Sequence, residues 1–146
     1  EEQIRLAVDF YTEWFGRPPR GMWPAEGAVS QQVISLFARH GIQWIATDQG
    51  VLARSGQWGY QVNKPDVLCQ AYRAEDETSG DAISIFFRAT ELSDAIGFHY
   101  SSSTNEQVSA QEFVARIKTQ FAAHVQDPAN RVISLILDGE NAWGAY

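Results

Sequence analysis

A single cysteine, Cys69, stands in this chain of 146 residues. It cannot form an internal disulfide, and zinc sites built on two or more thiolates are excluded with it. Its setting in the apolar run VLCQAY predicts a buried core thiol. Histidine is also scarce. His40, His99 and His124 are scattered, with no i, i+4 pair of the kind that holds a catalytic metal. Basic residues are outnumbered, 11 against 18 acidic, for a net charge of -7. A phosphate backbone is repelled by that field, so nucleic acid is not an expected partner. No apolar run reaches the roughly 18 residues of a membrane span, so no transmembrane helix and no membrane partner are predicted. The opening EEQIRLAVDFYTEWFG lacks the charged n-region and cleavage site of a signal peptide. The compartment stays open, with the cytoplasm favoured.

What is present describes a folded domain. Hydrophobic residues make up 45% and charged residues 20%, and 5 Trp, 5 Tyr and 8 Phe exclude a disordered chain. The length fits one domain or a piece of a larger one. Residues 2–15 predict an amphipathic helix, with Ile4, Val8, Tyr11 and Phe15 at helical spacing and Trp14 as a further core residue. Gly16, Pro18 and Pro19 end it. A short extended piece, Gly21-Met22-Trp23, precedes a helix from about Ser30, whose hydroxyl is suited to capping. Ile42 to Thr47 predicts a strand, and Asp48 to Pro65 a loop. Strands are expected at Val67–Arg73 and Ala82–Arg88, then a short helix in ELSDAIGF and a long one over 105–126. Val108, Phe113, Val114, Ile117, Phe121 and Val125 form that helix's core face. Val132 to Leu137 predicts a last strand, buried on both faces. Because that apolar strand comes so close to the end of the chain, the whole of residues 1–146 reads as a single domain that is a fragment of a larger one. Its uncovered edge predicts self-association. The alternation of elements argues an α/β fold with a mainly parallel sheet.

In such sheets the chemistry collects at the C-terminal ends of strands. Four strand ends deliver carboxylates: Glu26 after Trp23, Asp48 after IQWIAT, Glu91 and Asp94 after AISIFFR, and Asp138 and Glu140 after VISLIL. Trp23 and Trp143 lie close by in sequence, with Trp44 and Trp58 as further candidates. Paired carboxylates can act as nucleophile and general acid/base at a glycosidic bond, and indole faces stack on sugar rings. Each residue also has a plainer reading. Glu26 suits the first turn of a helix, and Asp138 a turn before Gly139. Asp48 is either a cap or part of the site. Thr90 or Ser93 suits a cap for ELSDAIGF, with Asp94 binding Arg88. His99 is either a substrate contact or a core histidine. His40 suits a helix end, and His124 faces solvent. Trp23 and Trp143 stack on sugar or pack in the core.

Three stretches taken in order, GMWPAEGAVS, FFRATELSDAIGFHYSS and VISLILDGENAWGAY, resemble glycoside hydrolase family 57. Within it they are most similar to the amylopullulanase and α-amylase-like members, over about Phe15 to Tyr146. The resemblance implies a catalytic domain on an incomplete (β/α)7 barrel. It implies retaining hydrolysis or transfer at α-glucosidic bonds of starch-like α-glucans, with no metal and no cofactor. By motif, Glu26 in WPAEG matches the nucleophile and Asp138 in LDGEN the general acid/base. Trp23, Asp48, Glu140, Trp143 and His99 are then the expected substrate contacts, with Glu140 also placed to act as a like charge beside Asp138.

The sequence departs from the family pattern in places. Where relatives carry FRDxxLSDxIGF, this chain has Ala89 in place of the Asp. Gly144 stands where a Glu is usual, and the family's His-x-Gln-Pro segment is missing. These departures leave a non-catalytic glucan-binding relative, or a piece too short to work, as the alternative. A metal-dependent polysaccharide deacetylase is disfavoured by the scattered histidines.

Overall fold

The computed structural model describes residues 1–56 and 59–139. Helix α1 spans Glu2–Phe15, the span that the sequence predicts. Gly16 closes it at φ 69, a left-handed backbone that glycine adopts without penalty, with its N–H on Thr12 O. Arg5 bridges Glu2 and Asp9 along one side. The predicted apolar face is only partly covered: no residue of α1 is buried. Trp14, expected in the core, is 71% exposed. Periodicity gives a helix its phase but does not supply the surface it packs on.

Contacts within the chain divide it into two compact units. The first holds Glu1–Thr47 and Ala71–Phe86, and the second holds Asp48–Gln70 and the chain from Phe87 onward. The first unit is built around β1 (Gly21–Met22), α2 (Gln31–Arg39), β2 (Trp44–Asp48), β3 (Tyr72–Glu75) and β4 (Ala82–Arg88). Asp48 and the pair Phe87-Arg88 are the tips of β2 and β4 and count with the second unit. The sheet is mixed, in the order β1-β2-β4-β3. β1 runs parallel to β2, with Gly21 opposite Trp44 and Met22 opposite Ile45. Any side chain at residue 21 collides with the Trp44 indole, 1.9 Å from a Cβ placed there, so Gly21 is required. β3 and β4 form an antiparallel pair from Tyr72 opposite Ile85 to Glu75 opposite Ala82. The acidic turn between them is organised by Asp76, whose carboxylate accepts the Thr78 N–H. That bond holds the Asp76 carboxyl below the usual carboxylate range.

Ile34, Phe37, Ile42, Ile45, Ile83 and Ile85 are the buried core of this unit. In β4 the buried residues are Ile83, Ile85 and Phe87, the alternation that a pleated strand imposes. Helix α2 starts where the sequence places it, but the Ser30 side chain makes no capping hydrogen bond.

The second unit departs further from expectation. The predicted loop of 48–65 holds helix α3 (Gln49–Arg54) and a 3-10 turn at Gly59–Asn63. The predicted strand from Val67 starts instead as α4 (Pro65–Leu68), with Pro65 at the helix entry that proline favours. Only its end survives, as β3. Helix α5 (Thr90–Asp94) runs into a π-turn at Ala95–His99, and α6 (Glu106–Arg116) continues through irregular turns to His124. Of its expected core face, Phe121 is buried, whereas Val108 and Val114 are 56% and 47% exposed. The segment 132–137 is not a strand buried on both faces. It makes one parallel bridge, Ser134 to Arg88, and Val132, Leu135 and Leu137 are 48%, 38% and 36% exposed.

Cys69 is a buried thiol with the pKa pushed up to about 11 by burial, as its apolar setting predicts. A thiol that stays neutral in the fold but ionises near 9.0 when unfolded favours folding below pH 9 and ceases to do so as pH climbs toward 11. Ellman's reagent at pH 8 should leave the folded protein unlabelled and react at once after denaturation. The stability difference between the protein and its Cys69→Ala variant should shift against the thiol-bearing form between pH 9 and 11. Full labelling under native conditions contradicts this placement.

Candidate active site

β1 ends at Met22, and the chain turns at once through Trp23-Pro24-Ala25-Glu26-Gly27. Pro24, with its fixed φ, opens a three-residue 3-10 turn at Ala25–Gly27. Glu26 within it sits at φ 55, ψ 20, and Gly27 follows at φ 63. Among the described residues Glu26 is the one non-glycine with positive φ. A left-handed backbone costs a residue with a Cβ about 1–2 kcal/mol. Such strain persists only where the surroundings impose it, and it gathers at functional positions.

The surroundings here are specific. The buried Thr47 hydroxyl, at the end of β2, donates to Gly27 O at 2.5 Å. The Trp23 indole lies against Gly27, 3.1 Å from where a Cβ would stand. Gly27 N–H and Ala28 N–H close the turn on Pro24 O and Ala25 O. The result is an exposed glutamate presented on a short fixed turn, with an indole beside its neighbour. The plainer reading of Glu26, an acid in the first turn of a helix, does not hold. Helix α2 starts only at Gln31, and a three-residue turn has no dipole to speak of.

In the second unit, Asp48 caps α3. Its Oδ1 accepts the Gly50 N–H at 2.7 Å, and its Oδ2 accepts the Thr90 hydroxyl at 2.6 Å. Arg88 Nη1 stands 3.6 Å from the same oxygen, while Arg88 Nη2 binds Asp94 at 2.6 Å, the pair that the sequence suggests. Glu91 binds Arg116 at 2.6 Å. Asp138 is exposed and follows the irregular segment 132–137. That segment is held by Val132 N–H on Cys69 O and by Ala89 N–H on Ser134 O. At Ile136 the holders are side chains. Arg88 Nε donates to Ile136 O at 2.8 Å, and the buried Ser93 hydroxyl accepts the Ile136 N–H at 3.2 Å. His99 is exposed, its ring 5.0 Å from that of Tyr100.

The structure thus brings Trp23 and Glu26 into one turn of the first unit, and places Asp48, His99 and Asp138 in the second. Glu140, Trp143, Trp58 and Gly144 lie outside the described residues. Among the described residues no three His, Cys, Asp or Glu side chains gather as metal ligands do. No helix among them is long and apolar enough to cross a membrane. The sequence did not single out Thr47, and it offered Arg88 as the partner of Asp94 and Ser93 as a cap, neither as a support for the segment before Asp138.

The chain has an α/β fold in which β1 and β2 run parallel. The model of glycosyl hydrolase family 57 matches residues 1–146, and the chain belongs to that family. Among solved structures it is similar to 4-alpha-glucanotransferase from Thermococcus litoralis, with a TM-score of 0.61 at 17% identity. That likeness covers 88% of this chain and 17% of the other, and at such identity it bears on the fold alone. Among curated proteins the chain is similar to 5-methyltetrahydropteroyltriglutamate--homocysteine methyltransferase of Baumannia cicadellinicola subsp. Homalodisca coagulata. Identity is 28% over 122 residues, 80% of this chain and 14% of the relative. The chain therefore spans less than a fifth of the length of either protein.

If Glu26 is strained, glycine at the same place relieves the strain. Glu26→Gly should stabilise the protein by about 1 kcal/mol, whereas Glu26→Gln, which keeps the Cβ, should leave stability unchanged. Urea unfolding of the three proteins measures this. A destabilised Glu26→Gly variant contradicts the strain.

Proposed function

We propose that this chain carries the reacting groups of a retaining glycoside hydrolase or transferase that acts on α-glucosidic bonds of starch-like α-glucans. Glu26 is the nucleophile and Asp138 the general acid/base, on the strand-end face of an incomplete (β/α)7 barrel. The observation that carries the reading is the left-handed backbone of Glu26, on the turn after β1 where the family motif puts the nucleophile. A carboxylate that must meet an anomeric carbon in line gains from a turn that cannot relax, and the strain is offset by Thr47, Pro24 and Trp23.

The chemistry is a double displacement. A Glu26 oxygen attacks the anomeric carbon and forms an ester bond as the glycosidic C–O bond breaks. Asp138 gives its proton to the departing sugar oxygen. Asp138, now a carboxylate, then takes a proton from water, or from a sugar hydroxyl in transfer, and the oxygen so freed displaces Glu26. Two inversions restore the starting configuration. The scheme asks the two carboxyl groups to stand roughly 5–5.5 Å apart in the working enzyme. Trp23 offers an indole face to the sugar, with Asp48 and His99 as polar contacts. Ala89, where the motif has an acid, favours a second reading: a relative that binds α-glucan without turning it over.

Both readings meet one test in the full-length protein. Glu26→Gln cannot form the ester, so cleavage of every substrate should cease. Asp138→Asn cannot protonate a sugar leaving group, so starch cleavage should fall by about 10²–10⁴-fold. An α-glucosyl fluoride needs no such proton and should still glycosylate Glu26 in that variant. Azide should then rescue turnover and give an α-glucosyl azide. Near-full starch cleavage by either variant contradicts the assignment, and a wild-type protein that binds α-glucan but never cleaves it establishes the second reading.

A further inference from the structure

The segment that leads to Asp138 is held by backbone bonds at Val132 and Ser134 and by side chains at Ile136. Its backbone joins the end of β4 through the single bridge at Ser134. Two residues later, both polar groups of the Ile136 backbone are bound by side chains, the C=O by Arg88 Nε and the N–H by the Ser93 hydroxyl. Asp138 is the second residue after that grip.

We propose that Arg88 and Ser93 are positioning residues for the general acid/base, fixing the Ile136 backbone and through it the reach of the Asp138 carboxyl. The proposal rests on the acid/base role given to Asp138 above. Proton accounting makes the grip directional. The Ser93 hydroxyl spends its one proton on Ala89 O at 2.8 Å, so toward Ile136 it can only accept. The Arg88 side chain is 16% exposed, and its guanidinium is held from two sides, by Asp94 at 2.6 Å and Asp48 at 3.6 Å. A planar fork held at both terminal nitrogens has its Nε–H direction set, and that direction is Ile136 O. Lysine has no equivalent of Nε and would give up the grip while keeping the charge. With about 3.3 Å of chain per residue, Asp138 stands only two residues of chain beyond Ile136, so the held backbone sets where its carboxyl starts from. Misplacing a reacting group by about 1 Å can cost on the order of 10²-fold in rate. Glu26 sits on its own turn, fixed by Thr47 and Trp23, so the loss should fall on steps that need the acid.

The test is single-turnover glycosylation by the full-length protein, with a maltooligosaccharide, which needs the acid, and with α-glucosyl fluoride, which does not. Arg88→Lys and Ser93→Ala should each lose roughly 10- to 10²-fold with the oligosaccharide, keep its KM, and stay near wild type with the fluoride. Added guanidinium should restore part of the oligosaccharide rate to Arg88→Ala. Ser93→Ala lacks only one oxygen and keeps the proposal testable if the arginine variants fail to fold. Equal losses with both substrates, or no loss, overturn the positioning role. Asp138→Asn in the same assay separates the two ideas. If it collapses on the oligosaccharide alone, the acid/base reading stands and the Arg88 and Ser93 results are judged by themselves. If it cleaves the oligosaccharide normally, both fall.

Discussion

Strand β4 ends in a cation, and a guanidinium drawn largely out of water must find acceptors for its N–H groups or forfeit several kcal/mol. Arg88 finds them on three stretches of chain at once. Asp94 comes from α5, Asp48 from the end of β2, and the Ile136 carbonyl from the segment before Asp138. Each acceptor has a second task that fixes it in turn. Asp48 caps α3 through Gly50 and receives the Thr90 hydroxyl, and Thr90 opens α5. Satisfying this one charge therefore ties α3, α5 and the segment 132–137 together within their unit. The ion pairs themselves add little net stability, because both carboxylates are partly exposed and solvent screens the Coulomb gain. What they supply is geometry: a fork of fixed shape accepts few arrangements of its partners.

The sequence was most legible where a single physical signal acted alone. Helix α1 could be bounded to the residue because helical spacing met Gly16 and two prolines. β4 could be bounded at Ala82–Arg88, and the structure adds the period-two burial at Ile83, Ile85 and Phe87 that a pleated strand imposes. Legibility failed where two signals competed. Between Asp48 and Pro65 the glycines argued for a loop, and the cap that starts α3, Asp48 on the Gly50 N–H, was hidden among them. Pro65, read as the end of a loop, is the first residue of α4. The apolar run 132–137 carried the composition of a buried strand. Its backbone partners, however, include side chains about 40 to 50 residues away, Arg88 and Ser93, and nothing local announces that.

The candidate site shows the same division. Motif and strand-end logic pointed to Glu26 and Asp138, but not to how each is held. A positive φ at a glutamate cannot be read from WPAEG, although Pro24 before it and Gly27 after it are the residues that make such a turn affordable. Thr47 was visible only as a strand residue, and its role needs a partner 20 positions away. Helix-end logic placed His40 correctly, as it closes α2. The same logic misplaced Glu26, because a turn of three residues looks like a helix start in sequence and lacks the aligned peptides that make one.

Ala89 is the point at which sequence and structure inform one another most. It occupies the N-cap of α5 and is buried to 1% exposure. An acid in that place, as the motif has it, would accept N–H groups of the first turn, the usual service of a carboxylate at a helix start. Alanine cannot do this, and the first amide of the helix, Thr90 N–H, is met instead by Gln49 Oε1 at 3.0 Å. The Thr90 hydroxyl meanwhile donates to Asp48, and Gln49 at the start of α3 supplies from outside the acceptor that the cap would have supplied from within. The backbone of Ala89 itself still binds Ser134 O, and its own carbonyl accepts the Ser93 hydroxyl. Those contacts need no side chain at residue 89. The loss of the motif's acid is thus compatible with an intact α5, an intact Ser93 and an intact grip on Ile136. On this geometry the substitution changes how the helix start is satisfied and leaves in place the groups that hold the segment before Asp138.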